Sequence, residues 1–205
     1  MLEELIDIAR LSDFEDYGSL ELTGVESNGG DLTLSLYIAA DEYPNIHPNW
    51  KVVCRGVKEH SLSLGHHYQL QFSDDHVLLW SHLAPRTSTS FYGKAENTLA
   101  VMGALCERHR KLAGDWIPFH RFLNDNIPLT ELIAGGFGMP AEGPEPFIVA
   151  YEDVMRQHGF STSHLDPKKP VHQGGHETLG QKPAVFVLIL DESFIVAEEF
   201  DGMAV

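Results

Sequence analysis

Three histidines and a glutamate lie close together in one polar stretch of the chain, HLDPKKPVHQGGHETLG at residues 164–180. They are His164, His172, His176 and Glu177. Neutral imidazole and carboxylate are ligands that suit Zn²⁺ or another divalent ion. A metal site made by His172, His176 and Glu177, with His164 or Asp166 as a further ligand, would indicate a metal-dependent hydrolase or another metal-binding enzyme.

The spacing of these residues favours a solvated loop instead. His172 and His176 would share one face of a helix, but Gly174 and Gly175 lie between them and Pro170 precedes them, a composition that disfavours a helix. Their order matches neither HExxH nor HxxEH, the patterns of zinc-binding helices. Some clustering is also expected by chance, because the chain has twelve histidines. We therefore expect no cofactor and no catalytic residues, with zinc or another divalent metal as the alternative.

Two further pairs have residue types that could do chemistry. A three-residue loop between strands at 66–72 and 76–82 would place His66 opposite His82, which supplies only two metal ligands. Cys106 and His109 could share a helix face as a thiol and its base. We expect His66 and His82 to lie at the edge of the core as a hydrogen-bonded pair. Cys106 and His109 are expected to pack in the core, because a nucleophilic thiolate needs an accessible, electropositive setting. Neither pair predicts a reaction.

The formal net charge of −16 is unevenly distributed along the chain. Residues 1–50 contain eleven acidic residues and one basic residue, residues 51–182 contain fourteen and thirteen, and residues 183–205 contain five and none. Both ends are therefore strongly acidic and the middle is nearly neutral. Such a potential repels nucleic acid and anionic lipid and speeds encounter with a basic protein. The alternative is that acidity serves solubility alone, as in many bacterial proteins.

Aromatic residues accompany the carboxylates in the acidic first quarter. Aromatic rings supply contact area and cation–π attraction for the Arg and Lys residues of a partner, while carboxylates supply electrostatic steering. Alternation along the strand predicts that Tyr37 points outward with Thr33 and Ser35, unless the C-terminal part of the chain covers it. The predicted partner-binding residues are Asp13, Glu15, Asp16, Tyr37, Asp41, Glu42 and Tyr43.

Together these features predict a non-catalytic acidic binding protein that docks on or neutralises a basic protein, in the manner of an immunity protein or antitoxin. A nucleic-acid mimic that occupies the cleft of a DNA-binding enzyme is another reading, and direct binding of nucleic acid is not expected. The longest apolar run, AVFVLIL at 184–190, is too short to span a bilayer, and the acidic N-terminus is unlike a signal peptide. We therefore expect no membrane association and a cytoplasmic location.

Hydrophobic periodicity predicts an α+β fold with a mostly antiparallel sheet. A short amphipathic helix at 2–12 precedes a hairpin that turns at NGGD, where Asn28 and Gly29 suit positive φ angles. Strands at 50–54, 66–72 and 76–82 complete a five-strand meander. The run AVFVLILDESFIVAEEF predicts a C-terminal hairpin that turns at Asp191 and Glu192.

A long helix is predicted to run from residue 95 to Gly114 and to pack on one face of the sheet. Its core-facing stripe would be Leu99, Met102, Cys106, His109 and Ala113. Shorter helices are expected in WIPFHRFLND, PLTELIAGG and PFIVAYEDVMRQHG, whereas PRTSTSFYG at 85–93 is either a ligand loop or a long connection. The Gly/Pro-rich segment 135–146 divides a strand-rich α+β part, 1–134, from a smaller mixed part, 135–205, packed together as one globular unit.

Overall fold

The computed structural model describes residues 2–11, 18–39, 46–166 and 185–205. The chain divides into two compact units: the first is Met1–Leu79 with Thr178–Val205, and the second is Trp80–Glu177. Both acidic ends of the chain therefore belong to the first unit. The Gly/Pro-rich segment that the sequence analysis takes as a boundary forms a strand within the second unit. Among the described helices, none is long and apolar enough to cross a membrane.

The first unit contains an N-terminal helix and two antiparallel sheets. Its described elements are α1 (Leu2–Ala9), β1 (Ser19–Asn28), β2 (Asp31–Ala39), β3 (Asn49–Arg55), β4 (Glu59–Ser61), β5 (Gly65–His67), β6 (Leu70–Ser73), a 3-10 turn (Val77–Leu79), β10 (Phe186–Leu190), β11 (Ser193–Ala197) and β12 (Glu199–Ala204). The first sheet has the strand order β12-β3-β2-β1-β5, and the second sheet has the order β4-β11-β10-β6.

The β1–β2 hairpin forms at the predicted turn, with Asn28 paired to Asp31. The residues with positive φ are Gly29 and Gly30, at +62° and +98°, so the prediction for Asn28 is wrong. Two glycines allow this left-handed turn without the steric cost that a Cβ atom imposes. The C-terminal hairpin also forms as predicted, and Leu190 pairs with Ser193 around Asp191 and Glu192.

The predicted hairpin of 66–72 with 76–82 is wrong, and His66 and His82 are not cross-strand neighbours. His66 lies opposite Glu21 on β1, and His82 lies in a short helix. Strand β6 pairs with β10 instead, which places Leu70 opposite Leu190. A physical reason lies in the sequence: Leu78, Leu79 and Trp80 are consecutive apolar residues, which do not alternate as a half-buried strand requires.

One hydrophobic core lies between the two sheets of the first unit. It joins residues from the inner face of the first sheet, such as Leu34 and Trp50, to Leu188 and Ile195 of the second sheet. Leu5 of α1 is also fully buried in this cluster. Burial of each such large apolar side chain contributes about 1.5–3 kcal/mol to folding. The core therefore holds the N-terminal and C-terminal strands in one body.

The second unit combines a three-stranded antiparallel sheet with helices. Its described elements are α2 (Trp80–Leu83), β7 (Arg86–Tyr92), α3 (Thr98–Ala113), a 3-10 turn (Phe119–Phe122), α4 (Leu129–Gly135), β8 (Phe137–Pro144), α5 (Glu145–Gln157) and β9 (Ser161–His164). The strand order is β8-β7-β9. The segment PRTSTSFYG, predicted to be either a ligand loop or a long connection, therefore contains the central strand of this sheet.

Helix α3 forms close to the predicted position, but its buried stripe differs from the predicted one. The buried residues are Val101, Leu105, His109 and Ala113. Leu99 and Cys106 are exposed, so the predictions that Leu99 lies on the core stripe and that Cys106 is buried are wrong. Helix α3 contacts α4 and α5. The observed stripe runs through Leu105 and not through the adjacent Cys106. Consecutive residues of an α-helix point in directions about 100° apart, so Cys106 lies off the buried face.

A buried histidine links two helices and a loop of the second unit. His109 Nε2 lies 2.6 Å from the carbonyl oxygen of Ile117, and His109 Nδ1 lies 2.6 Å from the Tyr151 hydroxyl. Since a carbonyl oxygen only accepts, Nε2 carries the proton and Nδ1 accepts from Tyr151. Burial raises the pKa of Tyr151 above its usual range. Both polar side chains are thus satisfied by neutral hydrogen bonds inside an aromatic core that includes Phe147.

Substitution of Gly136 by alanine should destabilise the protein by about 2–4 kcal/mol. Gly136 ends α4 with φ of +80°, and a Cβ atom there would collide with the carbonyl oxygen of Gly93. The measurement is urea unfolding of Gly136→Ala beside Gly103→Ala. Gly103 lies within α3 in open space, so its replacement should raise stability by up to about 1 kcal/mol. Equal stability of the two variants would contradict this account.

Candidate functional site

Most of the residues that the sequence analysis predicts for a site lie outside the described residues. This holds for Asp13, Glu15, Asp16, Asp41, Glu42 and Tyr43, and for the metal candidates His172, His176 and Glu177. Residues 12–17 precede β1 and residues 40–45 follow β2, and Ser19 is paired with Ala39. The described residues nearest to these two segments, Ser19 and Ala39, are therefore cross-strand neighbours.

Tyr37 is the predicted partner-binding residue that the structure describes. It lies on the outer face of the first sheet, opposite the core, and its side chain is 41% exposed. Thr33 and Ser35 lie on the same face and are half-buried, whereas Leu34 and Leu36 between them are buried. The predicted outward orientation of Tyr37 thus agrees with its exposure. Its role in binding stays a prediction.

The strand register places Tyr37 in a row of polar neighbours. Glu21 of β1 lies opposite Tyr37, and His66 of β5 lies opposite Glu21 on its other side. Asn49 of β3 lies opposite Tyr37. Directly opposed residues of an antiparallel pair have Cβ atoms about 5 Å apart. Sequence reasoning missed Glu21 as a site residue and considered His66 only as a partner of His82. The position of Glu21 between Leu20 and Leu22 already indicated an outward side chain.

The two units differ strongly in charge. The described residues of the first unit include fourteen acidic and four basic side chains, a formal charge of −10, whereas those of the second unit include ten and seven, a charge of −3. Two of the four basic residues described in the first unit are already paired, Arg55 with Glu199 at 3.0 Å and Lys58 with Glu198 at 2.6 Å. The first unit is therefore the acidic body of the protein.

A second cluster, in the second unit, is centred on a buried carboxylate. Glu152 of α5 is 2% exposed. Its Oε2 accepts from Arg156 at 2.7 Å, and its Oε1 lies 3.0 Å from His164 Nδ1 at the end of β9. Arg156 also donates to Asp153 and to Thr162. A buried charge is tolerated when it is paired and hydrogen-bonded in this way.

The Glu152 carboxylate orients the imidazole ring of His164. The other ring nitrogen, Nε2, lies 3.4 Å from Thr87 Oγ1 and 3.9 Å from Glu145 Oε1. The hydroxyl of Thr87 is 2.5 Å from the carbonyl oxygen of Leu165, to which it donates. Thr87 is buried and its proton is committed to this carbonyl, so it lacks the access that a nucleophile requires. The side chain of His164 is 30% exposed.

The remaining candidates for chemistry have structural explanations. Burial raises the pKa of the Cys54 thiol to about 12, which keeps it neutral and unreactive. Cys106 is exposed while His109 is buried and bonded to Tyr151, so these two do not form a thiol–base pair. Burial lowers the pKa of His76 against the opposing effect of Asp75. Within the described ranges, no three His, Cys, Asp or Glu side chains are grouped so as to hold a metal ion.

Comparison of the chain with protein-family models, with curated proteins and with solved structures gave no match.

Replacement of Glu152 by glutamine should lower the free energy of unfolding by about 1–3 kcal/mol, because the variant weakens two charge-assisted hydrogen bonds at a buried position. Asp153→Asn is the matched control. Asp153 also binds Arg156, but its side chain is 43% exposed compared with 3% for Glu152, and exposed ion pairs contribute less than about 1 kcal/mol. Urea unfolding measures both. A larger loss for Asp153→Asn would contradict the central position of Glu152.

Proposed function

We propose that the protein is a non-catalytic acidic binding protein that docks on or neutralises a basic protein partner, in the manner of an immunity protein or antitoxin. The observation that carries this proposal is the charge of −10 among the described residues of the first unit. The acidic N-terminal and C-terminal segments, which are far apart in sequence, contribute to one body and hence to one local field. An exposed tyrosine on its outer sheet face supplies an aromatic anchor beside that field.

The physical role of such a field is to accelerate encounter. A strongly acidic body attracts a basic partner over distances of about one Debye length, which is about 10 Å at 0.1 M salt, and raises the association rate. Aromatic side chains then add contact area once the two surfaces meet. Surface charge acts mainly on the association rate, whereas buried anchors act mainly on dissociation.

A tagged protein expressed in its native host should retain a nearly stoichiometric basic protein at low salt and lose much of it at about 0.5 M salt, where the Debye length falls to a few ångströms. Mass spectrometry identifies the retained protein. Reversal of Asp13, Glu15, Asp16, Asp41 and Glu42 to lysine should lower the association rate with that partner by at least about tenfold at low salt.

The matched control for this reversal changes the same amount of charge in the second unit. Glu96, Asp115, Asp125, Glu131 and Asp166 are exposed there, and their reversal to lysine should slow association much less. Equal slowing by the two sets would indicate that only net charge matters. If the retained partner is a DNA-binding enzyme and DNA competes with the protein for it, the protein acts as a nucleic-acid mimic. An association rate that neither set changes would remove the electrostatic basis of the proposal.

The second candidate function is metal binding or metal-dependent hydrolysis that uses the His-rich stretch 164–177. One observation favours it: the buried Glu152 carboxylate holds Nδ1 of His164, whose side chain is 30% exposed. Metal-binding histidines commonly hydrogen-bond a carboxylate through their other nitrogen, which fixes the ring and raises its basicity. In this reading His164 contributes one ligand, and His172, His176 and Glu177 contribute the rest.

Element analysis of protein purified without an affinity tag tests the metal-binding reading. One equivalent of zinc or manganese, reduced by His164→Ala and by His176→Ala, is the expected result if the site exists. His120→Ala, which removes an exposed histidine of the second unit, should leave the metal content unchanged. Substoichiometric metal that does not change in His176→Ala would eliminate this candidate.

A further inference from the structure

Glu21 occupies an unusual position on the outer face of the first sheet. It is half-buried between Tyr37 and His66 in neighbouring strands. Among the described residues, no hydrogen bond or ion pair involves its carboxylate. The nearest cation along the register is Lys51, which lies opposite Ser35, the residue two positions before Tyr37. A half-buried carboxylate between two flat rings is therefore without a partner in the described part of the chain.

The edge of the sheet beside Glu21 is fixed by a buried network. His67 of β5 is 5% exposed, with Nε2 3.0 Å from the carbonyl oxygen of Ser63 and Nδ1 3.5 Å from Asp191. Asp191 also accepts from the backbone N–H groups of Tyr68 and Gln69, each at 3.0 Å. These bonds hold β5 against the turn between β10 and β11. His66, the residue before His67, is therefore presented on a rigid strand, which lowers the entropic cost of binding.

Exposed apolar surface lies next to the row at the same edge. Leu64 and Tyr68 are 67% and 54% exposed, and they alternate with His66 along this part of the chain. These two side chains add exposed apolar surface on either side of His66 along the chain.

We propose that the row of His66, Glu21 and Tyr37 binds an arginine side chain of the basic partner; this inference rests on the proposed function. The Glu21 carboxylate accepts two N–H groups of the guanidinium, and the rings of Tyr37 and His66 flank its planar faces. Arginine fits this geometry better than lysine, because its planar fork pairs bidentately with a carboxylate and stacks on aromatic rings. Charge complementarity agrees, since the described part of this unit carries −10.

The test uses the full chain and a defined probe, the blocked tripeptide acetyl-Gly-Arg-Gly-amide, followed by NMR chemical shifts of backbone amides at low salt. The expected result is a saturable shift centred on residues 21, 37 and 66, with weaker binding of the lysine analogue and none of the uncharged citrulline analogue. Glu21→Gln should lower the affinity for the arginine peptide at least about fivefold. This variant preserves the shape of the side chain, and its amide spectrum checks that the fold is unchanged.

Glu26→Gln is the matched control, because Glu26 is an exposed carboxylate of the same strand and lies opposite Thr33 on the same face. Its affinity for the arginine peptide should change less than twofold. Equal losses in the two variants, or shifts spread evenly over the acidic unit, would overturn the arginine site and leave the broader electrostatic proposal intact. Conversely, a localised shift that Glu21→Gln abolishes would support the site even if no salt-sensitive partner is retained in the capture experiment.

Discussion

The pairing of the C-terminal strands with strands from the N-terminal third is the constraint on which the first unit depends. Strand β12 pairs along six residues with β3, and the β10–β11 hairpin is inserted between β6 and β4. Such contacts close a loop of more than a hundred residues, whose entropic cost grows only slowly with length. Gly202 of β12 allows close contact with α1, since a Cβ atom there would lie 3.0 Å from the Cα atom of Leu2.

This long-range pairing also decides where the charge lies. Residues 1–50, with a formal charge of −10, and residues 183–205, with a formal charge of −5, lie at opposite ends of the sequence. Strand pairing brings them into one body. The inner faces of the sheets are apolar and bury one another, so the carboxylates are left on the outside. One face of the first sheet packs against the core, and the other face presents polar and aromatic side chains. The proposed docking surface and the proposed arginine site both lie on that outer face.

The second unit uses its polar residues differently. Glu152 and His109 are buried and hydrogen-bonded, and they connect a helix to a strand and to a loop respectively. Such satisfied groups specify how the elements pack. His164 differs from them, because its side chain is 30% exposed; Glu152 holds one ring nitrogen, and the other lies near Thr87 and Glu145. That difference is the reason why the metal-binding alternative has its best support at His164.

Local sequence signals by themselves determined the α+β class, the longer helices, the positions of the two hairpin turns near residues 28–31 and 191–192, and the outward side of Tyr37, because each depends on neighbours a few residues away. Tertiary structure alone decided that β6 pairs with β10, that PRTSTSFYG becomes a central strand, and that Glu21 lies between Tyr37 and His66. A strand's own residues do not specify its partner, since pairing depends on which distant apolar surface it covers. The same reason explains why the sequence shows two acidic ends and only the fold shows one acidic body.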